Sequence, residues 1–310
     1  MKRFLIISTL TVVAIFLPLY FYLSLANGNT DAYYLRFTTP PQTSMVIGTS
    51  RSAQGLNPDI LNKKLHRTDI FNYSFTQTHS PFGPIYLNSI RKKLDEHAKD
   101  GTYIISVEPW ALGEFNDSPE DSTLFRENNS ILDKTNWVSL HPNIPYLLKN
   151  YNKHFANLFA DSRRTSDMKL HLNGWLEIKV NLSEDSINAR TSRKVRDYTE
   201  FKAPNFRASN FRFQYLIKTI ELLQKHGKVY IVRLPVGNEI LAIENKIYPN
   251  FNEKIKKLCT QLHLPYFDFT SLNTHYVYVD GNHISTKSVA TISEQVSDSI
   301  MKYNELKKQH

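Results

Sequence analysis

The sequence predicts an α/β protein: a three-layer domain whose parallel sheet is flanked by helices, preceded by a transmembrane helix and interrupted by an irregular insertion. Three observations lead there. Short apolar runs of strand length alternate with longer amphipathic segments, the order that builds a parallel sheet covered on both faces. The first 26 residues hold an uncharged apolar run, and the stretch from Trp110 to about Asn205 loses both periodicities. A chain of 310 residues, 41% hydrophobic and 22% charged, can bury a substantial core, which excludes disordered and collagen-like classes. The single cysteine, Cys259, excludes an internal disulfide framework and any cysteine-rich zinc or iron–sulfur site.

Lys2 and Arg3 precede the apolar run from Phe4 to Ala26. At about 1.5 Å per residue, a helix of that length crosses a hydrocarbon core of about 30 Å. Basic residues on its leading side place the N-terminus in the cytoplasm and the body on the periplasmic or extracellular side of the cytoplasmic membrane. Two readings stay open: an uncleaved single-pass anchor, or a signal peptide removed near Ala26, where Ser24-Leu25-Ala26 offers small residues. The run exceeds the ~7–15 residues usual for a signal's apolar region, which favours the anchor. Residues 27–44 read as a polar linker and residues 45–310 as the domain, with the insertion at about 110–205. The net charge is +9, of which Lys2 and Arg3 supply two, leaving a basic exported body. Such a charge suits anionic lipid or polymer as well as simple solubility, and no nucleic-acid module accompanies it.

Within the domain, Ser44-Met45-Val46-Ile47 reads as a buried strand that stops at Gly48-Thr49-Ser50. Asn57 is a candidate N-cap with Pro58 at the first helical position. Ile70 to Phe75 alternates apolar and polar residues as a second strand, and Pro84 to Lys93 has helical spacing. Thr102 to Val107 is a third strand, ended by Pro109. Beyond the insertion, Phe213 to His226 reads as a helix with Gly227 as its C-cap. Lys228 to Leu234 is a strand closed by Pro235, and a helix follows around Ile247 to Leu262. A short strand at Tyr266 to Phe269 precedes a last helix, capped by Ser285 or Thr286 and running to about Tyr303.

Parallel sheets bind ligands beyond the carboxyl ends of their strands. That rule selects Gly48-Thr49-Ser50, Asn72-Tyr73-Ser74, Glu108-Pro109, Arg233 and the loop at Asp280. Ser50, at a strand-to-helix turn after a glycine, would present a hydroxyl where free N–H groups can face an oxyanion. Asp280-Gly281-Asn282-His283 sets a carboxylate and an imidazole three residues apart, so that Asp280 can orient one ring nitrogen while the other takes the Ser50 proton. Each motif alone is also an ordinary turn or helix cap. Arg51 and Arg233 are candidates for contacting an anionic substrate group, or else surface ion pairs. The abundant Tyr and Phe read as core, and Trp110, Trp137 and Trp175, in or beside the insertion, are candidates for lining a glycan groove. His66, His79 and His97 show no ligand spacing, so no metal is expected.

The joint placement of Ser50 after the first strand and Asp280-x-x-His283 before the last helix resembles the SGNH/GDSL hydrolase superfamily. Val46-Ile47-Gly48-Thr49-Ser50-Arg51-Ser52-Ala53-Gln54-Gly55 also looks like the Gly-Ser-Ser-Arg entry of its membrane-anchored branch, which includes D-alanyl-lipoteichoic-acid and alginate-acetylation proteins. Phe71 to Phe75, followed by Ser80-Pro81-Phe82-Gly83, looks like that branch's second block. The resemblance spans about Met45 to Met301. It implies an SGNH/flavodoxin-like fold and cofactor-free esterase or O-acyltransferase chemistry on a cell-envelope polysaccharide or related polymer, often beside a membrane-bound O-acyltransferase. The alternative it implies is a non-catalytic binding or assembly partner of such an acyltransferase. Two blocks depart from the pattern. Gly-Asp-Ser has become Gly-Thr-Ser, and the Gly-x-Asn-Asp block has no counterpart, the strand ending in Val107-Glu108-Pro109-Trp110. The second block's glycine is absent too, which leaves Ser50, Asn72 and Ser74 as oxyanion candidates.

Overall fold

In the computed structural model, which describes residues 1–151, 153–164 and 166–309, five strands form one sheet. They are β1 (Ser44–Ile47), β2 (Ile70–Asn72), β3 (Gly101–Ser106), β4 (Gly227–Arg233) and β5 (Tyr266–Asp268). The spatial order is β2-β1-β3-β4-β5 and every neighbouring pair is parallel. This is the flavodoxin-like order, in which the chain reverses its direction of travel between β1 and β3 and opens a crevice there.

The period-two alternation of the strands divides the interior into two cores. Val46, Ile104, Tyr230 and Val232 pack on one face with Leu61 of α3 (Pro58–Lys64) and with Val289, Ile292, Val296 and Ile300 of α9 (Thr286–Lys308). Met45, Ile47, Tyr103, Ile105, Val229 and Ile231 pack on the other. There they meet Ile90 of α4 (Pro84–Lys93), Leu216, Ile220 and Leu223 of α6 (Asn210–Gln224), and Ile255 and Leu258 of α8 (Phe251–Gln261). Other helices are α1 (Lys2–Leu23), α2 (Ser50–Gly55), α5 (Glu184–Arg196) and α7 (Asn238–Ile247), and further short helices, among them Ile144–Asn150 and Leu158–Arg163, lie within the insertion. The α1 helix is long and apolar enough to cross a membrane.

Several boundaries differ from expectation, each for a local reason. The strand read from Ile70 to Phe75 pairs only to Asn72, although Tyr73 and Phe75 still donate N–H bonds to the Val46 and Gly48 carbonyls. The helix read across Ile247 to Leu262 is two helices. Pro249 keeps Tyr248 out of the helical region (φ −143°, ψ 70°), and the chain turns there. Gly227 is not a helix cap; it opens β4, where a Cβ would lie 2.0 Å from the Gly101 carbonyl oxygen.

Residues 27–44 are not a loose linker. Tyr34–Phe37 form a 3-10 turn whose side chains are buried, and the Arg36 guanidinium donates to the Ala32, Asn72 and Gly174 carbonyls. The insertion is irregular, as expected, and is stitched to the domain at both ends. Gly113 and Glu114 pair antiparallel with Ala208 and Arg207. Arg212 of α6 binds Glu127 at 2.6 Å through both terminal nitrogens and Glu114 at 2.8 Å through Nε, with all three residues buried.

The turn after β1 is the tightest approach that concerns the site. A Cβ on Gly48 would lie 2.3 Å from Ser52 Oγ and 2.8 Å from Ser106 Cβ. Replacing Gly48 with alanine is therefore expected to cost about 1–3 kcal/mol through overpacking, read as a lowered urea midpoint of the detergent-solubilised chain.

Candidate active site

The site is assembled at the crevice between the carboxyl ends of β1 and β3. The β1 strand ends at Ile47, and Ser50 is the first residue of α2. Thr49 is the N-cap, its hydroxyl accepting from the Arg51 N–H at 3.3 Å. The N–H groups of a first helical turn have no carbonyl four residues back to bind, so the turn that presents the Ser50 hydroxyl also presents donors.

Ser50 Oγ lies 2.8 Å from His283 Nε2. His283 Nδ1 lies 3.0 and 3.1 Å from the two oxygens of Asp280, whose Oδ1 also accepts the backbone N–H groups of Asn282 and His283. A carboxylate accepts but does not donate, so this network assigns the proton to Nδ1 and leaves Nε2 as the base facing Ser50. Burial opposes ionisation of Asp280. The His283 ring beside it, its hydrogen bonds and Lys194 (3.4 Å) outweigh burial and hold the carboxyl well below the usual carboxylate range.

Gly281 allows this short turn. Its φ of +73° is a left-handed conformation that a side chain would strain, and a Cβ there would also meet Thr191 of α5 at 3.0 Å. The α5 helix supports the loop from the insertion side. Arg190 Nε donates to the Val279 carbonyl at 2.8 Å, and Lys194 reaches Asp280.

Beneath the triad lies a buried chain of charge. Arg51 Nη2 binds Glu244 Oε1 of α7 at 2.5 Å, and its Nε stands 3.1 Å from Glu108 Oε2 at the end of β3. Glu244 in turn receives Arg233 Nη2 at 2.9 Å. Burial works against the Arg51 charge, and Glu108 and Glu244 more than offset it. Burial also pushes the Glu108 carboxyl above its ordinary range, against the pull of Arg51. Arg51 donates as well to Asn282 Oδ1, at 3.1 Å from Nε and 2.7 Å from Nη2. With its oxygen held there, the Asn282 amide nitrogen faces His283 Nε2 at 3.2 Å.

The structure thus brings Ser50, Asp280 and His283 together and places the other candidates elsewhere. Arg51 and Arg233 are not surface ion pairs; both are buried and engaged by carboxylates. Asn72 and Ser74 are fully buried too. The Asn72 amide donates to the Ser52 and Leu56 carbonyls, and Ser74 Oγ accepts from Ser52 Oγ, so neither side chain reaches an oxyanion. Trp110 is a core residue, stacked edge-on with Tyr198 and Phe206. Trp175 donates to the Gln54 carbonyl of α2, and Trp137 is exposed. Sequence reasoning missed Glu244, Asn282 and Lys194. Glu244 had a signal: it stands one turn after Ile240 on the apolar face of α7, where an acid needs a buried partner. No family model matches the chain, and no curated protein matches it.

Because folded Asp280 holds its proton less tightly than the unfolded chain does, its stabilising contribution is complete above the unfolded pKa of about 3.9. It drains as pH falls past that value toward the lower folded one. Asp280→Asn is expected to be less stable than wild type at pH 7, with the gap narrowing near about pH 3 and closing further below. Urea midpoints at the two pH values measure it.

Proposed function

We propose that the protein is a membrane-anchored serine esterase or O-acyltransferase of the SGNH-like kind, acting outside the cytoplasmic membrane on acyl esters of a cell-envelope polysaccharide or related polymer. The observation that carries this reading is the unbroken line of hydrogen bonds from Ser50 Oγ through His283 to Asp280 at the sheet's switch point. Ser50 Oγ attacks the acyl carbonyl as its proton passes to His283 Nε2, and Asp280 stabilises the imidazolium. The Arg51 N–H being taken by the Thr49 hydroxyl, the other N–H groups of the first turn of α2 face the oxyanion in place of the absent asparagine. Collapse returns the proton to the departing alcohol and leaves an acyl ester on Ser50. His283 then deprotonates water or a polymer hydroxyl, whose attack frees Ser50 and yields the acid or the new ester.

The anchor reading draws support from the end of α1. Leu23 and Ala26 are buried against the domain, and Asn27 Nδ2 donates to the Ser162 carbonyl at 2.8 Å. A cleavage near Ala26 would cut inside this packed junction. Lys2 and Arg3 then set the N-terminus in the cytoplasm. The second reading, a non-catalytic SGNH-shaped partner of a membrane-bound O-acyltransferase, is favoured by one observation: Asn72 and Ser74, which stand where the family places an oxyanion donor, are wholly engaged in the interior.

Hydrolysis of p-nitrophenyl acetate by the detergent-solubilised full chain tests the first reading. Ser50→Ala is expected to lower turnover by about 10³-fold or more with the urea midpoint little changed. Equal rates in wild type and variant would overturn the assignment of Ser50.

A further inference from the structure

The strongest feature outside the triad lies where α1 leaves the membrane. An apolar groove of about 560 Å³ runs between Phe16, Leu19 and Leu23 of α1 and Ile144, Leu148 and Phe155 of the insertion. The short helix Ile144–Asn150 is apolar on two sides. Tyr146 and Leu147 are buried in the domain core, whereas Leu148, the next residue, is 68% exposed. Phe159 and Trp137 are exposed nearby in the sequence, at 45% and 62%. Helices of water-soluble surfaces carry polar residues at such positions.

Depth decides what covers this groove. Phe16 stands seven residues before the end of α1, about 10 Å down the helix axis. Side chains that share a groove with Phe16 and Leu19 therefore sit at the level of the outer leaflet whenever α1 spans the bilayer. The contact is pinned by Tyr22, whose hydroxyl donates to the Phe155 carbonyl at 2.6 Å. The charges around the apolar residues fit the same solvent. Lys149, Arg163 and Arg164 are exposed, and Asp161, the one acid between Ile144 and Arg164, is paired with Lys153 at 2.9 Å. Arg163 lies over the Phe159 ring at 4.1 Å, so a cation and an apolar face are offered together.

We infer that the helices Ile144–Asn150 and Leu158–Arg163 form a second membrane attachment embedded in the outer leaflet beside α1. Ile144, Leu148 and Phe155 lie among acyl chains, and Lys149, Arg163 and Arg164 lie at anionic phospholipid headgroups. This inference rests on the anchor reading of α1. It makes the domain a body held to the bilayer at two places, with a fixed tilt, where one tether alone would let it swing.

Nitroxide labels on the full chain, reconstituted in vesicles of phosphatidylcholine and phosphatidylglycerol, test it by collision with oxygen and with a water-soluble nickel chelate. The labels go on Leu148→Cys, on Ile7→Cys within α1, and on Lys257→Cys, exposed on α8 at the β5 edge of the sheet. Cys259 is buried, its thiol pushed up to about 12 by burial, and stays unlabelled. The expected result is an oxygen-to-nickel collision ratio at Leu148 that matches Ile7 and exceeds Lys257 several-fold. A ratio at Leu148 equal to that of Lys257, with Ile7 still in lipid, overturns the second attachment and leaves the anchor standing. A Leu148 label shielded from both reagents overturns it in favour of a second copy of the chain in the groove. A water-like signal from Ile7 overturns the anchor reading and this inference together.

Discussion

Arg51 follows Ser50 in sequence, and its guanidinium must be neutralised inside the protein. Its buried charge draws Glu108 from the end of β3, Glu244 from α7 and Asn282 from the loop bearing His283 around one group. Losing either carboxylate would strand charge in the interior, a cost of about 3–5 kcal/mol for a broken buried pair. Such networks are weak arguments for net stability, because well-packed apolar residues can serve as well. Their geometric effect is clearer here. One guanidinium ties the turn bearing Ser50 to the loop bearing His283, which are more than 230 residues apart in the chain. The same contact turns the Asn282 amide toward the imidazole.

The sheet itself was legible because its strands are short, apolar and bounded by Gly, Pro or Asn. β1 and the helix at Pro84–Lys93 have the limits read from the sequence. Ser50, Asp280 and His283 were found by a rule of position: each falls at the carboxyl end of a strand or in the loop before the last helix. What stayed hidden depended on partners distant in sequence. Nothing near Arg51 or Arg233 marks them as buried, because their partner Glu244 comes from another helix. Tyr34 to Phe37 looked like linker because the four residues Tyr-Leu-Arg-Phe are too few to show a period, and their burial depends on Asn72, Ala32 and Gly174 around Arg36. The two-helix break at Pro249 was readable in principle, since proline disfavours a helical residue before it.

The insertion, featureless in sequence, acquires two physical roles in the structure. Its α5 helix backs the Asp280 loop through Arg190, Thr191 and Lys194. Its earlier part turns apolar side chains toward α1. The same stretch therefore bears on the electrostatics of the candidate triad and on the packing of the domain against α1.

The central claim is that Ser50 is an activated nucleophile, and a fluorophosphonate probe reports activation directly because only a serine with a competent base reacts. The full chain would be treated with the probe and the modified peptide identified by mass spectrometry. The account predicts one adduct, on Ser50, that disappears in His283→Gln while the protein remains folded. An unlabelled wild-type protein, or an adduct on Ser52 with Ser50 untouched, would contradict it.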